Sequence, residues 1–173
     1  MRDIEPQVIK NSLEMFINYY KSFDALSGYK KIRRPNFPEH ISEYIVQSYL
    51  NKFNGKYNCH RAETGDLLKS NGNKIEVKCI NSDGPISFGP NEKWSELYIV
   101  DVRQLFTGNE NTIKIFFIPK TNYEIHALRI SRSETFGQQC EQKRRPRCHI
   151  TLLHEFFKED MRLIYNHKID YLF

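Results

Sequence analysis

The sequence lacks any apolar run of membrane length: the longest, residues 115–118, has four residues, against the roughly 18 that a span needs. Its first residues, Met1-Arg2-Asp3-Ile4-Glu5, do not contain the apolar core of a signal peptide. A soluble, cytoplasmic protein is therefore expected. The four cysteines, Cys59, Cys79, Cys140 and Cys148, include no C-x-x-C pair, and the Cys140/Cys148/His149 group lacks the spacing of common structural zinc sites. Free thiols follow, with Cys79 a small apolar residue of a strand pattern. The six histidines form no H-E-x-x-H or H-x-H pattern, which leaves no metal ligand among them. A glycine-rich phosphate loop and a G-x-S-x-G elbow are both absent, so no organic cofactor is expected.

What is present suffices for a core. Of 173 residues, 39% are hydrophobic and 13% aromatic, which fits one domain spanning 1–173 and argues against global disorder. Lys and Arg number 26 against 21 acids, for a net charge of +5. That charge is unevenly placed. Residues 25–38 hold Lys30, Lys31, Arg33 and Arg34 without an acid; residues 129–149 hold Arg129, Arg132, Lys143, Arg144, Arg145 and Arg147 against Glu134 and Glu141. Each window carries +4, leaving −3 for the remainder. Two basic patches on a slightly acidic body are the footprint of phosphate-backbone binding, so DNA is the expected partner. Solvated loops are the competing reading. Gln138, Gln139 and Gln142 lie among the arginines, and Arg and Gln make the paired hydrogen bonds that read guanine and adenine edges.

Apolar spacing predicts helices over about 6–23, 39–52 and 151–159. Strands are predicted at 57–62, 66–69, 74–80, 96–102 and 112–118, with a weaker one at 124–130 and a short one at 162–165. Strands in the middle with helices at both ends indicate an α/β or α+β fold on a mixed sheet. Trp94, the only tryptophan, is expected to pack rather than stack on a base.

The segment from Asp66 to Lys78 carries the chemistry. Asn71-Gly72 between two strand-like runs signals a hairpin. A two-residue loop would set Asp66 opposite Val77 and put it on the face away from Glu76. A three-residue loop, Ser70-Asn71-Gly72 with a left-handed Gly72, would pair Lys69 with Asn73 and bring Asp66 opposite Glu76 on one face, Cβ atoms roughly 5 Å apart. Two close carboxylates repel unless a cation lies between them, and a hard divalent ion such as Mg²⁺ suits that arrangement. Lys78 projects from the same face, where an ammonium can orient a metal-bound water. An ordinary Glu–Lys surface strand competes with this reading.

Gly65-Asp66, nine further residues and Glu76-Val77-Lys78 resemble the PD-(D/E)-x-K signature of type II restriction endonucleases, with Gly65 in place of the usual proline. Glu43, in Ile41-Ser42-Glu43-Tyr44-Ile45-Val46, resembles the helical glutamate that often precedes that motif. Residues 76–88 and 135–147 are similar to very short enzymes that cut a GC-rich palindrome with one unspecified central base, the GCNGC type. The resemblance implies a restriction-endonuclease-like core, a central mixed sheet flanked by helices, and a homodimer in which each subunit cuts one strand of duplex DNA within a restriction-modification system. It implies Mg²⁺ held by Asp66, Glu76 and the Val77 carbonyl, a water positioned by Lys78, and an accessory role for Glu43. For DNA contact the expected residues are Arg33, Arg34, Ser82, Asp83, Ser87, Gln138, Gln139, Gln142, Lys143, Arg144, Arg145 and Arg147, with Arg144 or Arg145 the first choice as base reader. A structure-specific repair or junction-resolving nuclease, a non-catalytic DNA-binding protein and a metal enzyme acting on something else are the rival functions.

Overall fold

The computed structural model describes residues 5–26, 35–53, 59–62, 66–107 and 111–173. Two helices come first. In α1 (Pro6–Leu26), Pro6 occupies the first turn, where its missing N–H costs nothing, and Ile9, Leu13 and Tyr20 are buried at helical spacing. In α2 (Glu39–Phe53), Ile41, Ile45, Val46 and Leu50 face the core. The same helix buries Glu43 and Gln47 one turn apart. Gln47 Nε2 donates to the Cys59 carbonyl at 3.0 Å, tying α2 to the first strand.

The sheet strands are β1 (Cys59–Arg61), β2 (Leu67–Lys69), β3 (Lys74–Ile80), β5 (Glu96–Asp101), β6 (Thr112–Ile118) and β8 (Arg162–Lys168), hydrogen-bonded in the order β1-β2-β3-β5-β6-β8. Among the described strands of this sheet, β3 and β5 run parallel and the other pairs are antiparallel. Between β3 and β5 the chain forms β4 (Ile86–Ser87), which pairs with β7 (Arg147–Cys148) as a separate two-stranded ribbon. Short α3 (Gln104–Thr107) follows β5, α4 (Phe136–Glu141) precedes β7, and α5 (Ile150–Phe157) precedes β8. This is a mixed α/β architecture with a six-stranded sheet between helices, as the sequence pattern predicts.

Strand alternation sorts the side chains into two cores. Ile75, Val77 and Cys79 of β3, with Tyr98 and Val100 of β5, pack under α1 and α2. Ile80 of β3, with Leu97 and Ile99 of β5, faces Phe88, Trp94, Phe136 and the α5 residues Leu153 and Phe157. Glu76 and Lys78 alternate with the first set, so they lie on the second face, the side that carries α4, α5 and the β4–β7 ribbon. Trp94 is buried and stacks on Phe88 with ring centroids 5.8 Å apart, so it packs as expected.

Three elements differ from expectation. Residues 124–130 do not form a strand: Glu124–Ala127 is a 3-10 turn, followed by an isolated bridge between Arg129 and Thr135. Ile125 and Leu128 are the buried residues there, at i,i+3 spacing rather than alternation, and the Glu124 carboxylate takes the Thr121 N–H at 2.7 Å, which favours a turn. The last strand reaches Lys168 rather than residue 165, because pairing with β6 sustains it although most of its side chains are exposed. The first strand ends at Arg61 rather than at residue 62; residues 57 and 58 lie outside the described part. No helix among the described residues is long and apolar enough to cross a membrane, and all four cysteines are free.

Candidate active site

The β2–β3 hairpin has the three-residue loop. Gly72 sits at φ +86°, its N–H donates to the Lys69 carbonyl at 2.9 Å, and the Lys69 N–H donates to the Asn73 carbonyl at 3.0 Å. Leu68 pairs with Lys74 and Leu67 with Ile75; one step further along the same register, Asp66 faces Glu76. Asp66 Oδ2 accepts the Val77 N–H at 2.6 Å. That bond holds the carboxylate beside the Val77 peptide, one residue from Glu76.

The surroundings of this pair are buried and densely charged. Glu76 is 5% exposed and forms an ion pair with Lys78. Lys78 Nζ also lies 3.5 Å from Glu92 Oε2 and 5.5 Å from the centre of the Phe88 ring. Glu43, projecting from α2, pairs with Arg61 of β1 at 2.5 Å. Burial pushes Glu76 up to about 8; Asp66 and Glu92 add to that rise and Lys78 opposes it. Burial likewise raises Asp66, against the Val77 N–H and Lys78. Glu43 rises through burial and the Asp66 charge, which Arg61 only partly offsets. For Lys78 burial favours the neutral amine, but Glu76 and Glu92 outweigh it and hold the ammonium above its usual range. Carboxylates pushed upward by burial and by one another describe a site short of positive charge.

The donor atoms suit a hard divalent cation, which commonly takes one or two carboxylates and retains waters. Asp66 and Glu76 supply two such carboxylates and Val77 a neighbouring carbonyl. Among the described residues no three His, Cys, Asp or Glu side chains converge on a single point. Asp66 is engaged by an amide and Glu76 by Lys78, and these two acids with the Val77 carbonyl are the groups that could hold such an ion.

The expected DNA-contacting residues divide by their present partners. Ser82 and Asp83 are exposed just after β3; Asp83 is paired with Arg103 at 2.6 Å, and Arg103 also grips Asp101. Ser87 on β4 sits opposite Arg147 on β7, which brings two expected contacts together. Gln138 is the third residue of a capping box: Thr135 Oγ1 accepts its N–H at 3.3 Å while its own Oε1 accepts the Thr135 N–H at 2.8 Å. Gln139 donates to Glu134 at 2.9 Å. Arg144 reaches both Glu134 and Gln142 at 2.8 Å. Lys143, Arg145 and Arg147 are exposed, and none of them has an ion pair among the described residues. Arg145, just before β7, and Arg147 on it are both exposed, while Pro146 and Cys148 alternate inward. Arg33 and Arg34 lie outside the described residues.

Three participants escape a reading of the sequence. Glu92 enters the site from the loop before β5, and the signal for it is Gly89. A Cβ built on Gly89 would fall 2.3 Å from Glu92 Oε1, so glycine there makes room for the carboxylate. Arg61 and Arg103, each paired with an acid, carry no local signal at all. Helix α4 was legible in principle, through the T-x-x-Q capping box at 135–138.

A mixed sheet whose antiparallel hairpin sets an aspartate opposite the glutamate of Glu76-x-Lys78, on the face that carries a basic arm, defines a restriction-endonuclease-like nuclease core. The sequence profile of the Bsp6I restriction endonuclease matches residues 4–156. The chain belongs to the Bsp6I restriction endonuclease family, whose namesake cuts GCNGC, and is a type II enzyme of site-specific DNA cleavage. No curated protein matches it significantly. Membership selects site-specific cleavage over junction resolution, repair and non-catalytic DNA binding.

Proposed function

We propose that the protein hydrolyses duplex DNA with Mg²⁺ held by Asp66, Glu76 and the Val77 carbonyl, at a short GC-rich palindrome of the GCNGC type. The observation that carries this reading is the facing pair of carboxylates, Glu76 buried and Asp66 half-buried, with Lys78 on the same face. A bound Mg²⁺ supplies Lewis-acid polarisation of the scissile phosphate and neutralises the charge that builds on it. The protein's own groups do the rest. Asp66, tethered to the Val77 N–H, cannot swing away from the pair. Lys78, kept protonated by its acidic neighbours, donates a hydrogen bond to the attacking water and aligns it with the phosphorus. Glu43, steadied by Arg61, accepts a hydrogen bond from a water at the edge of the site or contacts a second ion.

Recognition in this reading falls to the arm at 136–148, with Arg145 and Arg147 toward the bases, Lys143 beside them, and Arg144 held in place by Glu134. Gln138, Gln139 and Gln142 shape the arm and line its surface; Ser82, Asp83 and Ser87 flank it, and Arg33 and Arg34 contact the backbone. Reading and cutting share one domain in the cytoplasm, where the DNA is. A two-fold dimer matches a palindrome, each subunit cutting one strand. The test is to incubate the protein with Mg²⁺ and a plasmid of known sequence and to map the ends. Discrete ends that share one palindrome support the reading; ends without common sequence overturn it.

A further inference from the structure

Lys78 is claimed by two acids at once. It is paired with Glu76, one of the two carboxylates assigned to the metal, and lies 3.5 Å from Glu92 Oε2. A carboxylate that neutralises an ammonium is a poorer ligand for a cation, so Glu76 must loosen its hold on Lys78 when the ion enters. A buried ammonium released in this way needs another acceptor. Glu92 is placed to be that acceptor: its Oε2 is sealed from solvent and accepts no hydrogen bond. Gly89 leaves room for that placement, since a Cβ at 89 would fall 2.3 Å from Glu92 Oε1 and displace the carboxylate. The Phe88 ring, its centre 5.5 Å from the Lys78 ammonium, adds a further contact on this group.

Resting on the metal assignment above, we infer that Glu92 is a positioning residue that takes over Lys78 from Glu76, freeing Glu76 for the cation while keeping the lysine over the reaction site. It acts through Lys78 and is not itself a metal ligand.

The experiment measures Mn²⁺ binding to the full-length protein by electron paramagnetic resonance, with Mn²⁺ alone as probe. Glu92→Gln weakens Mn²⁺ binding by about 10-fold, the scale of a lost partner to a metal ligand. Gly89→Ala, which keeps every charge and only pushes the carboxylate aside, weakens it in the same direction. In a Lys78→Met background Glu92→Gln changes the affinity by less than about 2-fold, because the residue it serves is gone. An equal loss with and without Lys78 would make Glu92 a direct ligand and overturn the proposal; no loss with Lys78 present overturns it as well. Asp66→Asn separates the two readings. If it leaves Mn²⁺ affinity unchanged, the metal assignment fails and takes the proposal with it; if it weakens binding while Glu92→Gln does not, the proposal alone fails.

Discussion

Lys69, the last residue of β2, and Glu96, the first of β5, form a buried ion pair 2.5 Å long across the intervening β3. Asn73, just beyond the hairpin turn, donates to the other Glu96 oxygen at 2.9 Å, and the Tyr98 hydroxyl donates to Glu96 Oε2 at 3.3 Å. The two residues that close the loop, Lys69 and Asn73, are thus bound to one carboxylate on the neighbouring parallel strand. The loop register that aligns Asp66 with Glu76 is anchored from outside the hairpin.

Removing one partner of that pair leaves a buried charge without compensation. Lys69→Met is expected to lower unfolding stability by about 3–5 kcal/mol, measured by urea denaturation. The double variant Lys69→Met/Glu96→Leu recovers much of this, because apolar replacement of both partners is often neutral. A single variant within 1 kcal/mol of the wild type, on the order of an exposed pair, would show that the pair is not holding the hairpin.

Asp66→Ala and Lys78→Ala are expected to abolish cleavage while leaving DNA binding at low salt, since in the proposed reading phosphate contacts come from the basic arm and not from these residues. Plasmid nicking and gel-shift assays read the two properties separately. Binding and cleavage lost together in both variants would count against these residues as the cutting machinery.

The carboxylates give stability a definite dependence on pH. Glu76 is raised by burial to about 8 in the folded chain, above the ordinary 4.5 it regains on unfolding. A raised acid binds its proton more tightly in the folded state, so its contribution is complete below pH 4.5 and is lost as pH rises toward 8. Metal-free protein should therefore melt at a lower temperature at pH 8 than at pH 5.5 as far as this group is concerned. Glu76→Gln should flatten that slope, with each kcal/mol recovered at pH 8 raising Tm by about 2–4 °C. Added Mg²⁺ should raise Tm at pH 8 in the wild type and have less effect in Glu76→Gln. Scanning calorimetry at both pH values decides it, and identical slopes for the two proteins would reject the assignment.

Base readers and phosphate holders in the proposed arm should behave differently on substitution. Arg145→Ala or Arg147→Ala is expected to cost about 1–3 kcal/mol in binding and to relax the sequence requirement at one position if its side chain grips a guanine. Lys143, held at φ +56° at the end of α4, closes a helix terminus in which its own N–H reaches the Cys140 carbonyl at 2.8 Å and the Arg144 N–H reaches Gln139 at 2.9 Å. Glycine would adopt that backbone with less strain. Lys143→Gly should therefore raise stability while weakening DNA binding equally across sequences and reducing the salt slope by about one. Salt titrations on cognate and altered duplexes distinguish the two behaviours.

Much of the local chemistry was written in residue order. Alternation along 74–80 assigns Glu76 and Lys78 to one face and Ile75, Val77 and Cys79 to the other, because a strand has a period of two. Asn71-Gly72 announces the turn, and helical spacing over about 6–23 and 39–52 announces the two flanking helices. The choice between two- and three-residue loops was not local. Both suit the sequence, and the one observed is accompanied by the Lys69–Glu96–Asn73 network, whose members are 27 and 23 residues apart.

The same distinction governs the site. From the sequence come the aspartate, the glutamate, the lysine and a basic arm. Tertiary structure alone decided that Glu43 answers to Arg61, that most of the arm's glutamines are spent on its own internal bonds, and that Glu92 shares Lys78. The reason is physical: periodicity and turn chemistry act over a few residues, whereas the partner of a buried charge is whichever opposite charge packing brings within about 4 Å, at any distance along the chain.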